Sequence, residues 1–121
     1  MESHEKLWEL KNDVDEVSTM VRDGWVIICC DKLVRILALD NGEELHRLDH
    51  SSVCNNADFS PNMNVLAVAC DTGVVIWDMK KVAKMKELDL APEVQDLRFN
   101  PSGDKLIVGA HTGEIFKIEM K

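Results

Sequence analysis

Residues 58–79 read "DFSPNMNVLAVACDTGVVIWDM". Two apolar runs, "VLAVAC" (65–70) and "VVIWDM" (74–79), are separated by "DTG". Each is too short for a helix and nearly continuous in apolar residues, the pattern of a strand covered on both faces. Upstream, "SPNMN" holds a proline that presets the first dihedral of a turn and asparagines that tolerate positive φ, so "ADFS" leads into a hairpin. The stretch therefore predicts three successive antiparallel strands, joined by turns of only a few residues.

Working outward, the same pattern recurs at an offset of 40 residues. Val26, Leu66 and Leu106 fall in register, as do Ile28, Val68 and Val108, Phe59 with Phe99, Pro61 with Pro101, and Gly73 with Gly113. Asp31, Asp71 and His111 share the turn position, and Leu48-Asp49 meets Leu88-Asp89. "WVIICC" and "KLIVGA" repeat the inner strand; "VRILAL" and "EIFKIEM" repeat the strand after it. "EELHRL" and "VAKMKEL" supply a fourth, outer strand. Each unit is four short antiparallel strands in about 40 residues, the period of a propeller blade.

On these residues the chain resembles the WD40-repeat β-propellers. The likeness is strongest from "DNGEELHRLDHSSV" (40–53) through the quoted stretch, with its Gly-Glu entry, His50, the "FSP" turn and Trp77-Asp78. The first unit has Leu37-Ala38 where Trp-Asp would stand, and the third has "KIEM". "DFSPNMNVLAVACDTG" and "RFNPSGDKLIVGAHTGEI" also look like blades of the microtubule-associated EMAP-like proteins. The resemblance implies an all-β chain of three four-stranded antiparallel WD40-like repeats of about 40 residues. These form one domain over 1–121, with units near 5–43, 44–83 and 84–121. It further implies a buried hydrogen-bond network of His50, Asp71 and Trp77, incomplete because Ala69 and Cys70 stand near the family's Ser/Thr position.

"EKLWEL" (Glu5–Leu10) shares the apolar spacing of the outer strands, which gives an expectation of twelve strands. Three blades fall below the four to eight that close a ring. The chain is then a part or divergent remnant of a longer propeller, a homo-oligomer whose copies complete one ring, or a chain whose partner supplies the missing blades. Complementary blade faces favour the homo-oligomer.

The composition narrows the function classes. With 22 acidic and 14 basic residues, net charge −8, the chain lacks the electrostatic footprint of a nucleic-acid binder or of a protein that docks on an anionic membrane. Its one basic cluster, "KKVAKMK" (80–86), is spaced as a solvated edge strand protected by lysine. The acidic, interrupted N-terminus is no signal or transit peptide, so the expected location is cytoplasmic. Cys29, Cys30, Cys54 and Cys70 lack metal-ligand spacing and read as reduced thiols inside apolar strands. No phosphate loop appears, and His4, His46, His50 and His111 sit in no nucleophile motif. The sequence therefore predicts no enzyme, no cofactor and no metal.

What remains is an interaction surface. In propellers the loops joining outer strand to first strand, and second strand to third, gather on one face. Here they are residues 11–13, 49–52 and 89–93, with 31–33, 71–73 and 111–113. They carry Asp13, Asp31, Asp49, Asp71, Asp89, Glu93 and His111. Two readings stand: ordinary turn chemistry, which Asp favours, or an acidic face that captures a basic peptide or protein segment. Trp8, on the expected outer strand, has an indole N–H in need of a partner and marks a possible contact, while Trp25 is expected to cap the blade core. The function expected is a non-enzymatic scaffold for protein–protein interaction, its blades completed by self-association. The alternative is a self-assembling structural protein on a cytoskeletal, microtubule-type polymer.

Overall fold

The computed structural model describes residues 5–8, 17–90 and 93–120. Eleven antiparallel strands and no helix occur among them: β1 (Val17–Arg22), β2 (Trp25–Cys30), β3 (Leu33–Ala38), β4 (Glu44–Asp49), β5 (Cys54–Phe59), β6 (Val65–Cys70), β7 (Gly73–Asp78), β8 (Ala83–Asp89), β9 (Val94–Phe99), β10 (Lys105–Ala110) and β11 (Ile115–Glu119). They form three up-and-down sheets: β1 to β4, β5 to β8, and β9 to β11.

Turn chemistry sets the boundaries. Arg22 pairs with Trp25 across a two-residue turn in which Asp23 and Gly24 both take positive φ, 49° and 81°. That is the turn whose twist suits flanking strands, and Asp-Gly is the pair that tolerates it. Ser60 closes the next hairpin by accepting the Val65 amide on its hydroxyl at 3.1 Å while its own amide donates to Val65 O at 2.8 Å. Gly73 opens β7 because nothing larger fits: a Cβ there would lie 1.9 Å from Leu88 O.

The sheets stack face to face. Along β6, Leu66, Val68 and Cys70 turn toward the first sheet, where Ile27, Cys29, Ile36 and Leu48 meet Phe59 and Trp77. Ala67 and Ala69 turn the other way and, with Val74 and Ile76, pack against Val94, Leu97, Leu106 and Val108 of the third sheet. Both faces of β6 are thus buried, which is why "VLAVAC" is apolar without alternation. Fully burying side chains the size of Phe59 or Leu66 contributes about 1.5–3 kcal/mol each.

The ends of the stack differ from the sequence expectation. Glu5–Trp8 form no strand, and Glu9 and Leu10 lie outside the described residues. Instead Trp8 packs beside Val26, Ile28 and Leu37 on the outward face of the first sheet. Its indole N–H donates to Leu39 O at 2.7 Å. Trp8 sits so closely on Gly42 that a Cβ there would be 2.8 Å from its ring. The third sheet has three strands among the described residues, and its outer strand β11 leaves Ile115 70% exposed. Asp96, Arg98, Ile107, Gly109 and Ile115 border a shallow depression of about 170 Å³ on that sheet, well below the size of ordinary ligand pockets. No helix among the described residues is long and apolar enough to cross a membrane.

Candidate functional site

Two groups of polar residues stand out against this core: a buried network within and between the sheets, and a rim of turns along one edge.

His50 lies between β4 and β5 and is 9% exposed. The indole N–H of Trp77 donates to its Nε2 at 3.0 Å, and the rings meet edge to face with centroids 5.4 Å apart. Since Nε2 accepts, Nδ1 carries the proton and donates to Leu48 O at 3.1 Å. Burial is the main cause that holds the His50 pKa below the ordinary histidine range, so the imidazole is neutral. Asp71 sits apart from this pair. Its Oδ1 accepts from Asn55 Nδ2 at 3.0 Å, and Asn55 also donates to Val94 O of the third sheet at 2.8 Å. Asn55 is free to do so because it is the extra residue of a β-bulge: Cys54 opposes Cys70, but Asn56 already opposes Ala69. Asp78, the partner of Trp77 in the Trp-Asp pair, accepts the Lys80 amide at 2.9 Å and so shapes the turn into β8.

Sequence reasoning missed Asp58. It lies one residue from the end of β5 and is only 3% exposed; its two carboxylate oxygens accept from Arg22 Nη1 at 2.8 Å and from the Phe99 amide at 2.9 Å. Arg22 also donates to Phe59 O at 3.1 Å. One carboxylate therefore ties β1, β5 and β9, a strand from each sheet. Its signal in the sequence is a charged residue set between Ala57 and Phe59 in an inner strand, where burial demands a partner.

A second convergence arises from residues far apart in sequence. One ring nitrogen of His50 and the sulfurs of Cys54 and Cys70 all lie within 4.8 Å of one another, and all three residues are buried. All four cysteines are free thiols.

The rim collects the turns that the sequence placed on one face. Backbone hydrogen bonds link them in order. His50 N donates to Lys32 O and Cys54 N to Asp31 O; Asp71 N donates to Val53 O, Leu90 N to Thr72 O, and His111 N to Glu93 O, all between 2.7 and 3.1 Å. Asp31, Asp49, Asp89 and His111 are exposed along this edge, and Asp71 and Glu93 half-buried. Asp13 lies outside the described residues. Gln95 Nε2 bridges Glu93 (3.3 Å) and His111 Nδ1 (3.2 Å). Lys32 is the exposed cation in the first turn. Trp25, by contrast, is a packing residue: it meets His46 and Phe59 edge to face, with centroids 5.8 and 5.5 Å away.

Comparison with known proteins agrees with this architecture. Residues 42–78 match the WD40 family model, WD domain, G-beta repeat. Over 67 residues the chain is 31% identical to the small ribosomal subunit protein RACK1 of Dictyostelium discoideum, covering 55% of this chain but 20% of that protein. The chain thus spans a fifth of the length of that curated relative. Among solved structures it is similar to the computationally designed Ika4 protein, with a TM-score of 0.74 and 22% identity over 88% of this chain and 67% of the other. With sheets packed face to face, a Trp-Asp pair closing the third strand of the middle sheet and a family match on that same sheet, residues 42–78 match a WD40 repeat and the chain has the stacked-blade fold of a β-propeller.

Proposed function

We propose that the chain is a non-enzymatic scaffold that captures a basic peptide or protein segment on its acidic rim. The observation that carries the reading is the row of carboxylates, Asp31, Asp49, Asp89 and Glu93, held by hydrogen-bonded turns along one edge. Closely set charges of one sign raise the local concentration of an oppositely charged partner and speed its encounter. The WD40 match and the likeness to RACK1 support a role in protein interaction. The test compares a Lys/Arg-rich peptide with a neutral one by calorimetry at low and physiological salt. Replacing Asp31 and Asp49 by lysine should weaken the basic peptide at least tenfold while leaving the fold intact. Both are better choices than Asp71, whose carboxylate holds Asn55. Equal affinity in wild type and the double variant refutes the reading.

A second reading, that copies complete one another's blades, is favoured by one feature: β11 is the outer strand of a three-stranded sheet, with Ile115 exposed at its edge. Unpaired edges recruit further strands. Sedimentation velocity decides it, since a stable 13.7 kDa species at micromolar concentration excludes ring completion between copies.

A further inference from the structure

We propose that Cys54 and Cys70 are a site of reversible cross-strand disulfide formation, with a hydroperoxide as oxidant. The two residues face each other across β5 and β6. The Asp71 amide donates to Val53 O, one residue beyond Cys70 and one before Cys54. That bond marks Cys54 and Cys70 as a non-hydrogen-bonded pair, the closer of the two antiparallel pair types, with Cα atoms about 4.5 Å apart. A disulfide needs a Cα separation of about 4.4–6.8 Å. Consistently, the Cys54 amide turns away from β6 and donates to Asp31 O at 2.7 Å. The sulfurs point into the same space, since both lie in the core between the first and second sheets. The bulge makes the pair: without the extra residue at 55, an asparagine and not a thiol would face Cys70.

The chemistry is asymmetric. Hydrogen bonds from the Cys54 thiol and from Ser52 pull the Cys70 thiol below its ordinary range, whereas the Cys54 thiol is pushed up. Burial raises Cys29, the third thiol of this core, to about 12, which keeps it protonated. Cys70 is therefore the nucleophile. Its thiolate attacks the terminal oxygen of the hydroperoxide; an S–O bond forms, the O–O bond breaks, and the second oxygen takes the proton that Cys70 gave up and leaves as an alcohol, or as water when the oxidant is hydrogen peroxide. The Cys54 sulfur then displaces the hydroxyl from Cys70, forming the S–S bond, and its proton leaves with that hydroxyl as water. For hydrogen peroxide the balance is two thiols and one peroxide to one disulfide and two waters. Access comes from position: Cys70 ends β6 beside the exposed Thr72 turn, and Cys54 begins β5, and strand ends open locally at low free-energy cost.

A thiophilic cation would use the same sulfurs, but His50 is a poor third ligand. Its Nε2 already holds Trp77 and its Nδ1–H holds Leu48 O, so a cation would have to break the Trp77 bond. The experiment titrates the full chain, reduced and then freed of reductant, with hydrogen peroxide. Blocking the remaining thiols, intact mass and peptide mapping follow. The expected product is lighter by about 2 Da, carries a peptide linking Cys54 to Cys70, and reverts with dithiothreitol. It should melt roughly 10 °C higher than the reduced chain, because the bond closes a loop of about 15 residues. Cys70→Ser should remove the mass loss and Cys30→Ser should keep it. Oxygen addition without a bridge, a bridge through Cys29, or a stoichiometric zinc ion that protects both thiols overturns the proposal. So does an oxidised form that melts no higher than the reduced one.

Discussion

Replacing Asp58 with alanine tests whether the sheets are held in place by one buried carboxylate as well as by apolar packing. The wild-type carboxylate is 3% exposed and satisfies the Phe99 amide and one arm of Arg22. Without it the Phe99 N–H, in a strand packed against β5, has no acceptor, a loss of about 1–3 kcal/mol. The Arg22 side chain is 32% exposed and keeps Phe59 O, so its lost ion pair costs only about 1 kcal/mol. The sum is about 3 kcal/mol, a large share of the roughly 5–15 kcal/mol that holds a domain together. With a urea slope near 1.5 kcal/mol per molar, the midpoint should fall by about 2 M. Tryptophan fluorescence follows the transition, since Trp25 and Trp77 both lie in or against the core between the first two sheets. A cycle with Arg22→Met separates the two contributions. If the Asp58 midpoint falls by less than about 0.3 M, or if the two substitutions are additive, the carboxylate does not tie the sheets and the reasoning fails.

Four further outcomes follow from the same geometry. Gly73→Ala should destabilise by well over 2 kcal/mol or abolish folding, because φ is +147° and the new methyl would meet Leu88 O at 1.9 Å; a melting curve within a few degrees of wild type contradicts this. Trp77→Phe keeps the ring but removes the N–H to His50, at about 1–2 kcal/mol in urea unfolding. Since burial lowers the His50 pKa, the unfolded state binds more protons below the ordinary histidine value near 6.5. The His50 contribution is complete above that pH and is lost as pH falls through the depressed folded value; His50→Gln should flatten that part of the stability profile, and an unchanged slope rules it out. Val82 takes φ +52°, a left-handed conformation that a β-branched residue resists, so Val82→Gly should raise the melting temperature, and a drop would show that its side chain matters more than its strain.

Much of the fold was legible because strand burial writes itself as composition. "VLAVAC" and "KLIVGA" coincide with β6 and β10 end to end: the first is covered on both faces and has no polar residue to blur it, the second keeps its apolar run although Ile107 is exposed, and turns stop both on either side. The exposed lysine strand was equally plain: β8 is the edge of its sheet, with Lys84, Met85 and Lys86 in solvent. Less legible were features that depend on an interruption. "EKLWEL" has the spacing of an outer strand, yet Glu5–Trp8 form none: Trp8 instead lies over Gly42 and donates its indole N–H to Leu39 O. The bulge at Asn55 shifts the strand by one position, and no residue type announces it. That shift leaves Asn55 to hold Asp71 and sets two thiols opposite each other. Asp58 was hidden in a different way. In an alternating strand a lone charge looks like the solvent side, and only the third sheet, packed over it, reveals that it is inside.

The ladder of backbone bonds along the rim also limits how any ligand can be read there. The amides of His50, Cys54, Asp71, Leu90 and His111 already donate to neighbouring turns. An incoming segment therefore cannot extend the structure by main-chain pairing at those points, as it would on an open strand. On the proposed reading, recognition at those points falls to side chains, so exchanging Asp31, Asp49 or Asp89 should change the partner and leave the frame as it is.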